Sequence, residues 1–258
     1  MNIGIIGAGA IATYVVEAIA ENPSWNMHVK SVYVRDKEKY ADFAAKNNIV
    51  LYQDIDAFLD SDIDIVVEAA NVEAVEMLLP VIVKRKSVVI ISIGAFVNQA
   101  FLTNMKEIAK KYNHKIYLPS GAIGGLDIIQ HAQKTHNLST VTLETRKPAR
   151  TITKERVDTE QIVFHGTAEQ AIKEFPKNIN VAIALGLAGV GMRETKVKII
   201  ADPTVKRNHH TIVAEGTFGK ASFQIENAPM PTNANTSYLA AMSVVGTLQK
   251  TNEYIQIG

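Results

Sequence analysis

Residues 3–12 read Ile3-Gly4-Ile5-Ile6-Gly7-Ala8-Gly9-Ala10-Ile11-Ala12, an apolar run that breaks into a G-x-G-x-x-A turn. The pattern predicts a buried strand over Ile3–Ile6, a tight turn and the opening of a helix. Gly7 permits the sharp turn, and Gly9 lets backbone amides approach a pyrophosphate. Ala12 allows the helix to pack closely on the strand. Ala10 and Ile11 begin that helix, whose positive dipole end faces phosphate oxygens. A glycine-rich strand–helix turn without a ligand is the alternative reading.

Outward from this turn, β-rich runs alternate with helical patterns as far as Leu118. Strands are expected at Ile3–Ile6, Val29–Val34, Val50–Tyr52, Ile63–Val67, Ser87–Ser92 and Lys115–Leu118. Amphipathic segments lie at Thr13–Glu21, Glu38–Lys46, Val72–Lys86 and Ala100–Tyr112. The runs DIVVEA and SVVIIS are almost wholly apolar, as strands covered on both faces must be. The fold class is therefore α/β, a doubly wound parallel sheet of Rossmann type.

The pattern changes at PSGAIGGLD, Pro119 to Asp127, where the glycines predict a hinge or a surface of close approach. Beyond it lie longer alternating strands, STVTLETRKP, TKVKIIAD, HHTIVAEG and KASFQIEN, the last two forming a hairpin. Helices are expected near Thr167–Glu174 and Ile179–Ala188, and TSYLAAMSVVGTLQKT is a final helix. These elements predict a second, α+β domain with a mixed or antiparallel sheet. By analogy with two-domain dehydrogenases, the last helix returns to the first domain. The expected division is 1–120 with 232–258 for the dinucleotide, and 121–231 for substrate and oligomerisation.

Composition narrows the partners. Among 258 residues, 27 Lys+Arg and 26 Asp+Glu leave a net charge of +1, which argues against a nucleic-acid binder. Zero cysteines exclude disulfides, thiolate metal sites and cysteine nucleophiles, and fit a reducing cytoplasm. The apolar start lacks a positive flank and carries Glu17, so no signal peptide is expected. Apolar stretches such as Val181–Val190 are too short to span a bilayer, so no membrane partner is expected. No clustered ligand set argues for a metal.

Several residues are placed for chemistry. Asp36, past the second strand, either accepts from ribose hydroxyls or caps the next helix. Arg35 beside it either stacks on adenine or pairs with a 2′-phosphate, which leaves NAD or NADP open. Small residues at two further strand ends, Ala70 in Glu68-Ala69-Ala70-Asn71 and Gly94 after Ser92, leave room for ribose and nicotinamide, the alternative or additional roles being a helix cap at Asn71 and a glycine turn at Gly94. Asn180 either caps an apolar helix or presents its amide to the cofactor carboxamide. Arg146 and Lys147, ending a long strand, either bind a substrate carboxylate or lie at the surface. His209 and His210 open a strand whose side chains alternate, so only one of them faces a cleft.

The stretches PSGAIGGLD, TRKP, FPKNINVA, ADPTVKRNHHTI, EGTFG, ENAP and NTSYLAAMSV resemble the L-aspartate dehydrogenase family, in the same order along nearly the whole chain. The resemblance implies NAD(P)-dependent oxidation of L-aspartate to iminoaspartate, hydrolysing to oxaloacetate or feeding NAD biosynthesis, and the reverse reductive amination of oxaloacetate with ammonia. Its N-x-H-x-I stretch falls on Asn208, His210 and Ile212, which makes His210 the proton-transfer residue; Asn208 and Lys147 are expected on the substrate side. It assigns cofactor contacts to Ala122 and Asn180; a homodimer is expected. The family commonly has an acid where this chain has Val34. The alternatives are a homoserine or dihydrodipicolinate-type oxidoreductase and a non-catalytic nucleotide sensor.

Overall fold

In the computed structural model, which describes residues 1–153, 157–175 and 179–255, the opening strand lies at the middle of a parallel sheet. Residues 176–178 of the FPKNINVA stretch and the last three residues lie outside the described set. The first half runs β1 (Asn2–Ile6), α1 (Ala10–Ala20), β2 (His28–Tyr33), α2 (Ala41–Asn47), β3 (Val50–Tyr52), α3 (Ile55–Leu59), β4 (Ile65–Glu68), α4 (Val72–Ile82), β5 (Ser87–Ile90), α5 (Gln99–Tyr112) and β6 (Ile116–Tyr117). The strands order as β3-β2-β1-β4-β5-β6, all parallel. The chain thus builds outward from β1 on one side and returns to build outward on the other. The order reverses between β1 and β4, the place where open α/β sheets bind ligands beyond their strand ends.

Local chemistry explains the element ends. Asp54 caps α3 by accepting from the Ala57 N–H at 2.8 Å, as Asn71 caps α4 through the Ala74 N–H at 2.8 Å. Asn48 and Asn113 close α2 and α5 in the left-handed conformation, with φ of 53° and 55°. Helix α4 stops at Ile82 although the amphipathic pattern reaches Lys86. There the Arg85 and Lys86 N–H groups both turn back to the Ile82 carbonyl.

The second half runs α6 (Leu126–Lys134), β7 (Leu138–Pro148), β8 (Gln161–Thr167), α7 (Ala168–Glu174), α8 (Asn180–Ala188), β9 (Lys196–Asp202), β10 (Asn208–Gly216), β11 (Gly219–Asn227), β12 (Pro229–Met230), β13 (Asn233–Ser237) and α9 (Tyr238–Asn252). Its five-stranded sheet orders β11-β10-β7-β9-β8 and is mixed, since β7 and β9 run parallel while the other pairs are antiparallel. Helix α6 and strand β8 are not expected from sequence. In β7 the buried Val141, Leu143, Thr145 and Lys147 alternate with the more exposed Thr142, Glu144 and Arg146. The buried set faces the helices. A Cβ on Gly189, at the end of α8, would lie 3.1 Å from both Ile129 of α6 and Val141 of β7.

The chain forms two compact units, Met1–Pro119 with the described residues 241–255, and Ser120–Ala240. In the first, α9 contributes Val244, Val245 and Leu248 to the core around Ile3, Ile5, Val15 and Val67. Leu248 and Val244 are wholly buried there. Among the described residues no helix is long and apolar enough to cross a membrane.

Candidate active site

In the first unit the turn from β1 into α1 is built for an anion. Gly7 adopts φ +93°, and a Cβ there would meet the Ala69 carbonyl oxygen at 2.8 Å, so only glycine fits. Gly9 occupies the N-cap of α1, where no side chain satisfies the first N–H groups and no acid stands in the first turn. A Cβ on Gly9 would meet nothing within 4 Å. Uncapped helical N–H groups opening onto free space fit the pyrophosphate of a dinucleotide. Ala10 and Ile11 form the first turn.

The neighbouring strand ends frame this turn. Ala70 is exposed beyond β4, and Arg35 and Asp36 are exposed beyond β2. Asp36 Oδ1 accepts from the Lys39 N–H at 3.1 Å, so the carboxylate caps the next helical turn with one oxygen. Between the ends of β4 and β5 lies Glu68, 2 % exposed. Its carboxylate accepts from the Ala70 N–H at 2.8 Å, the Ser92 N–H at 3.0 Å and the Ser92 hydroxyl at 2.8 Å.

In the second unit a polar group sits at one end of the helix-covered sheet face. His210 is opposite Thr145 in the antiparallel pairing of β10 with β7, and its Nδ1 lies 3.0 Å from Thr145 Oγ1. Two residues further along β7 comes Lys147, and two residues earlier on β10 comes Asn208, so strand alternation puts all four on one face. Asn208 pairs with Asn227 of β11, whose Nδ2 donates to the Ala122 carbonyl at 2.9 Å and whose Oδ1 accepts from the Ser237 hydroxyl. His210, Lys147, Thr145 and Asn227 are all buried.

Burial sets the charges. Removal from water, reinforced by the charge of Lys147, pulls the His210 pKa down to about 4, so the imidazole is neutral at pH 7. Burial likewise lowers Lys147 to about 8, which leaves it mostly cationic at neutral pH. A neutral imidazole beside a buried cation is an arrangement that can take a proton while holding a carboxylate.

The adjacent histidine lies on the other face. His209 Nε2 is 3.8 Å from Glu226 Oε1. Arg146 shares that outer face, pairing with Glu160, with Asp202 at 2.7 Å and with Glu144 at 3.5 Å. Of the two cations ending β7, Arg146 is therefore consumed by carboxylates, and Lys147 joins His210. Asn180 is the first residue of α8, exposed, with Ile179 in the cap position and no side-chain cap bond. The capping role open to it from sequence is thus not the one it has.

Comparison with known proteins decides the family. Residues 127–251 match the family model described as aspartate dehydrogenase, C-terminal, and residues 7–119 match the homoserine dehydrogenase NAD binding domain. An L-aspartate dehydrogenase of Methanosarcina mazei is 38% identical over 272 residues, covering 100% of this chain and 99% of its own. The chain belongs to the L-aspartate dehydrogenase family. A second such enzyme, from Methanocaldococcus jannaschii, is 35% identical over 268 residues, with 100% and 99% covered. The crystal structure of aspartate dehydrogenase from Thermotoga maritima superposes with a TM-score of 0.83 at 31% identity, covering 100% of this chain and 99% of that one. As a member of the L-aspartate dehydrogenase family the chain is an oxidoreductase with an NAD-binding domain, and its coenzyme is NAD or NADP.

Thr145 and Asn227 do not stand out as site residues in the sequence of this L-aspartate dehydrogenase family member, and Glu68 is singled out there only as part of the strand-end stretch Glu68-Ala69-Ala70-Asn71. For Thr145 the signal is present: it lies two residues before Lys147 in an alternating strand. Its pairing with His210 depends on the register of β7 against β10, which sequence alone does not specify.

Proposed function

We propose that this protein oxidises L-aspartate to iminoaspartate with NAD or NADP, the imine then hydrolysing to oxaloacetate or entering NAD biosynthesis, and that it runs the reverse amination of oxaloacetate. The observation that carries this reading is the buried His210–Thr145 pair with Lys147 on the same sheet face. A bound nicotinamide would supply the hydride acceptor for Cα of the substrate. That loss requires an amine whose lone pair is available, so a proton must first leave the ammonium group. Neutral His210 is the group assigned to accept it, or to activate the water that hydrolyses the imine. Substrate carboxylates arriving beside the imidazole raise its pKa from the low value that burial imposes. Lys147 anchors one of those carboxylates, and Asn208 supplies an amide beside it.

On the coenzyme side, Gly7, Gly9, Ala10 and Ile11 would hold the pyrophosphate, Asp36 the adenosine ribose and Arg35 the adenine or a 2′-phosphate, while Ala70 leaves space beyond β4. The coenzyme roles of Ala122 and Asn180 rest on the family resemblance. The first unit is accordingly the dinucleotide-binding domain and the second the substrate and oligomerisation domain, in a cytoplasmic homodimer. The test is absorbance at the NADH band with L-aspartate and each coenzyme, beside a panel that includes homoserine. Turnover with aspartate supports the assignment; turnover with another substrate alone, or coenzyme binding without turnover, rejects it. Size-exclusion chromatography with light scattering checks the dimer.

A further inference from the structure

Glu68 is a buried acid that the proposed chemistry does not use. Its carboxylate accepts from the Ala70 N–H, the Ser92 N–H and the Ser92 hydroxyl. The two amide groups have no lone pair to offer in return, so this surround is made for an anion. Burial pushes its pKa above the usual carboxylate value, and the donors oppose that push. A carboxylate retained in such a place at that cost invites a functional account.

Its location supplies one. The pyrophosphate site is at the start of α1, and the acid that ends the β2 side marks the adenosine half. The nicotinamide half therefore extends the other way from the β1/β4 reversal, over the ends of β4 and β5. Those are the two strand ends that Glu68 ties together. Glu68 itself is 2 % exposed, so its charge reaches the space beyond the strands through the protein rather than by contact with a ligand.

We infer that Glu68 is a coenzyme-discriminating residue, a fixed negative charge beneath the nicotinamide subsite that favours the oxidised ring over the reduced one. The oxidised nicotinamide carries a positive charge and the reduced ring carries none, so only the oxidised form gains from the carboxylate. The consequence is faster release of reduced coenzyme after each oxidation. This inference rests on the reading of the first unit as the coenzyme domain.

The test compares affinities of the whole protein for NAD+ by calorimetry and for NADH by fluorescence, with melting temperature recorded in parallel. Glu68→Gln keeps the side-chain shape and removes the charge. It should weaken NAD+ by roughly tenfold more than NADH, the scale of one charge interaction across a partly solvated gap. Ser92→Ala removes one donor but keeps the charge, and should leave the ratio of the two affinities within about twofold of wild type. An unchanged ratio in Glu68→Gln, even with both affinities reduced, overturns the inference, because the carboxylate then only braces the two strand ends. An equal shift in Ser92→Ala also overturns it. Should Glu68→Gln fail to fold, the wild type decides by pH: a ratio of NAD+ to NADH affinity that falls as acid protonates the carboxylate supports the inference, and a ratio that stays constant to the edge of acid unfolding rejects it. Failure of the wild type to bind either coenzyme would instead reject the coenzyme domain itself.

Discussion

Thr145 Oγ1 stands 3.0 Å from Nδ1 of His210, a buried contact between residues 65 positions apart that the antiparallel register of β7 and β10 makes. Among the described residues no hydrogen bond engages the other ring nitrogen. The threonine thus fixes the ring plane and leaves Nε2 for chemistry. Thr145→Val keeps the shape and removes the hydroxyl. It should lower kcat by about tenfold with little change in KM for coenzyme, and Thr145→Ser should restore most of the loss. Steady-state kinetics of the two variants check this.

His210→Ala should lower kcat by roughly 10²–10⁴-fold, the usual contribution of a positioned acid or base. His209→Ala should cost little, since its imidazole lies on the opposite face beside Glu226. Coenzyme affinity should hold in both. Near-normal kcat in His210→Ala would put the proton chemistry elsewhere.

Lys147→Met retains the buried stem and removes the ammonium. If that group holds a substrate carboxylate, KM for aspartate should rise on the order of tenfold to a hundredfold, the worth of a charged hydrogen bond. Coenzyme affinity, read by titration, should remain as in wild type. A fall in coenzyme affinity with unchanged KM for aspartate would reassign the lysine.

Gly9→Val adds bulk where the structure leaves open space, at a backbone conformation of φ −84° and ψ −170° that any residue adopts. The melting temperature should therefore hold while calorimetry finds no NAD binding. Unchanged affinity would remove the pyrophosphate from this turn.

Acid should destabilise the protein partly through His210. Its pKa of about 4 in the folded state lies below the ordinary 6.5, so the unfolded chain takes up this proton first. The stability it contributes is fully present above pH 6.5 and is lost as pH falls toward 4, by an amount on the order of 3 kcal/mol. His210→Gln, which does not titrate, should show a flatter decline in melting temperature across that window. Parallel curves would show that the imidazole is not the group responsible.

The residues legible from sequence are those whose meaning is local. The G-x-G-x-x-A turn announces itself because a strand must end and a helix begin within a few residues, and the alternation in HHTIVAEG places neighbouring histidines on opposite faces. Strand β8 escapes such a reading because the consecutive apolar Ile162, Val163 and Phe164 break the two-residue alternation where its pairing with β9 shifts register. Helix α6 escapes it because the helix follows directly on Gly124 and Gly125, which read as a hinge. The burial of Lys147, the pairing of Arg146 with three acids and the donor set around Glu68 all depend on which strands become neighbours. Family motifs point to His210, but the threonine that orients it emerges only from the sheet.

Helix α9 places Val244 and Leu248 in the core that also holds Ile3 and Val15, so the first unit is assembled from segments far apart along the chain. A ribosome making this protein has already released the N-terminal strands long before the residues that complete their core are made. The β1–β6 sheet must wait, incompletely covered, while the whole second unit is synthesised, and a nascent chain arrested before Ala241 would expose apolar surface to chaperones.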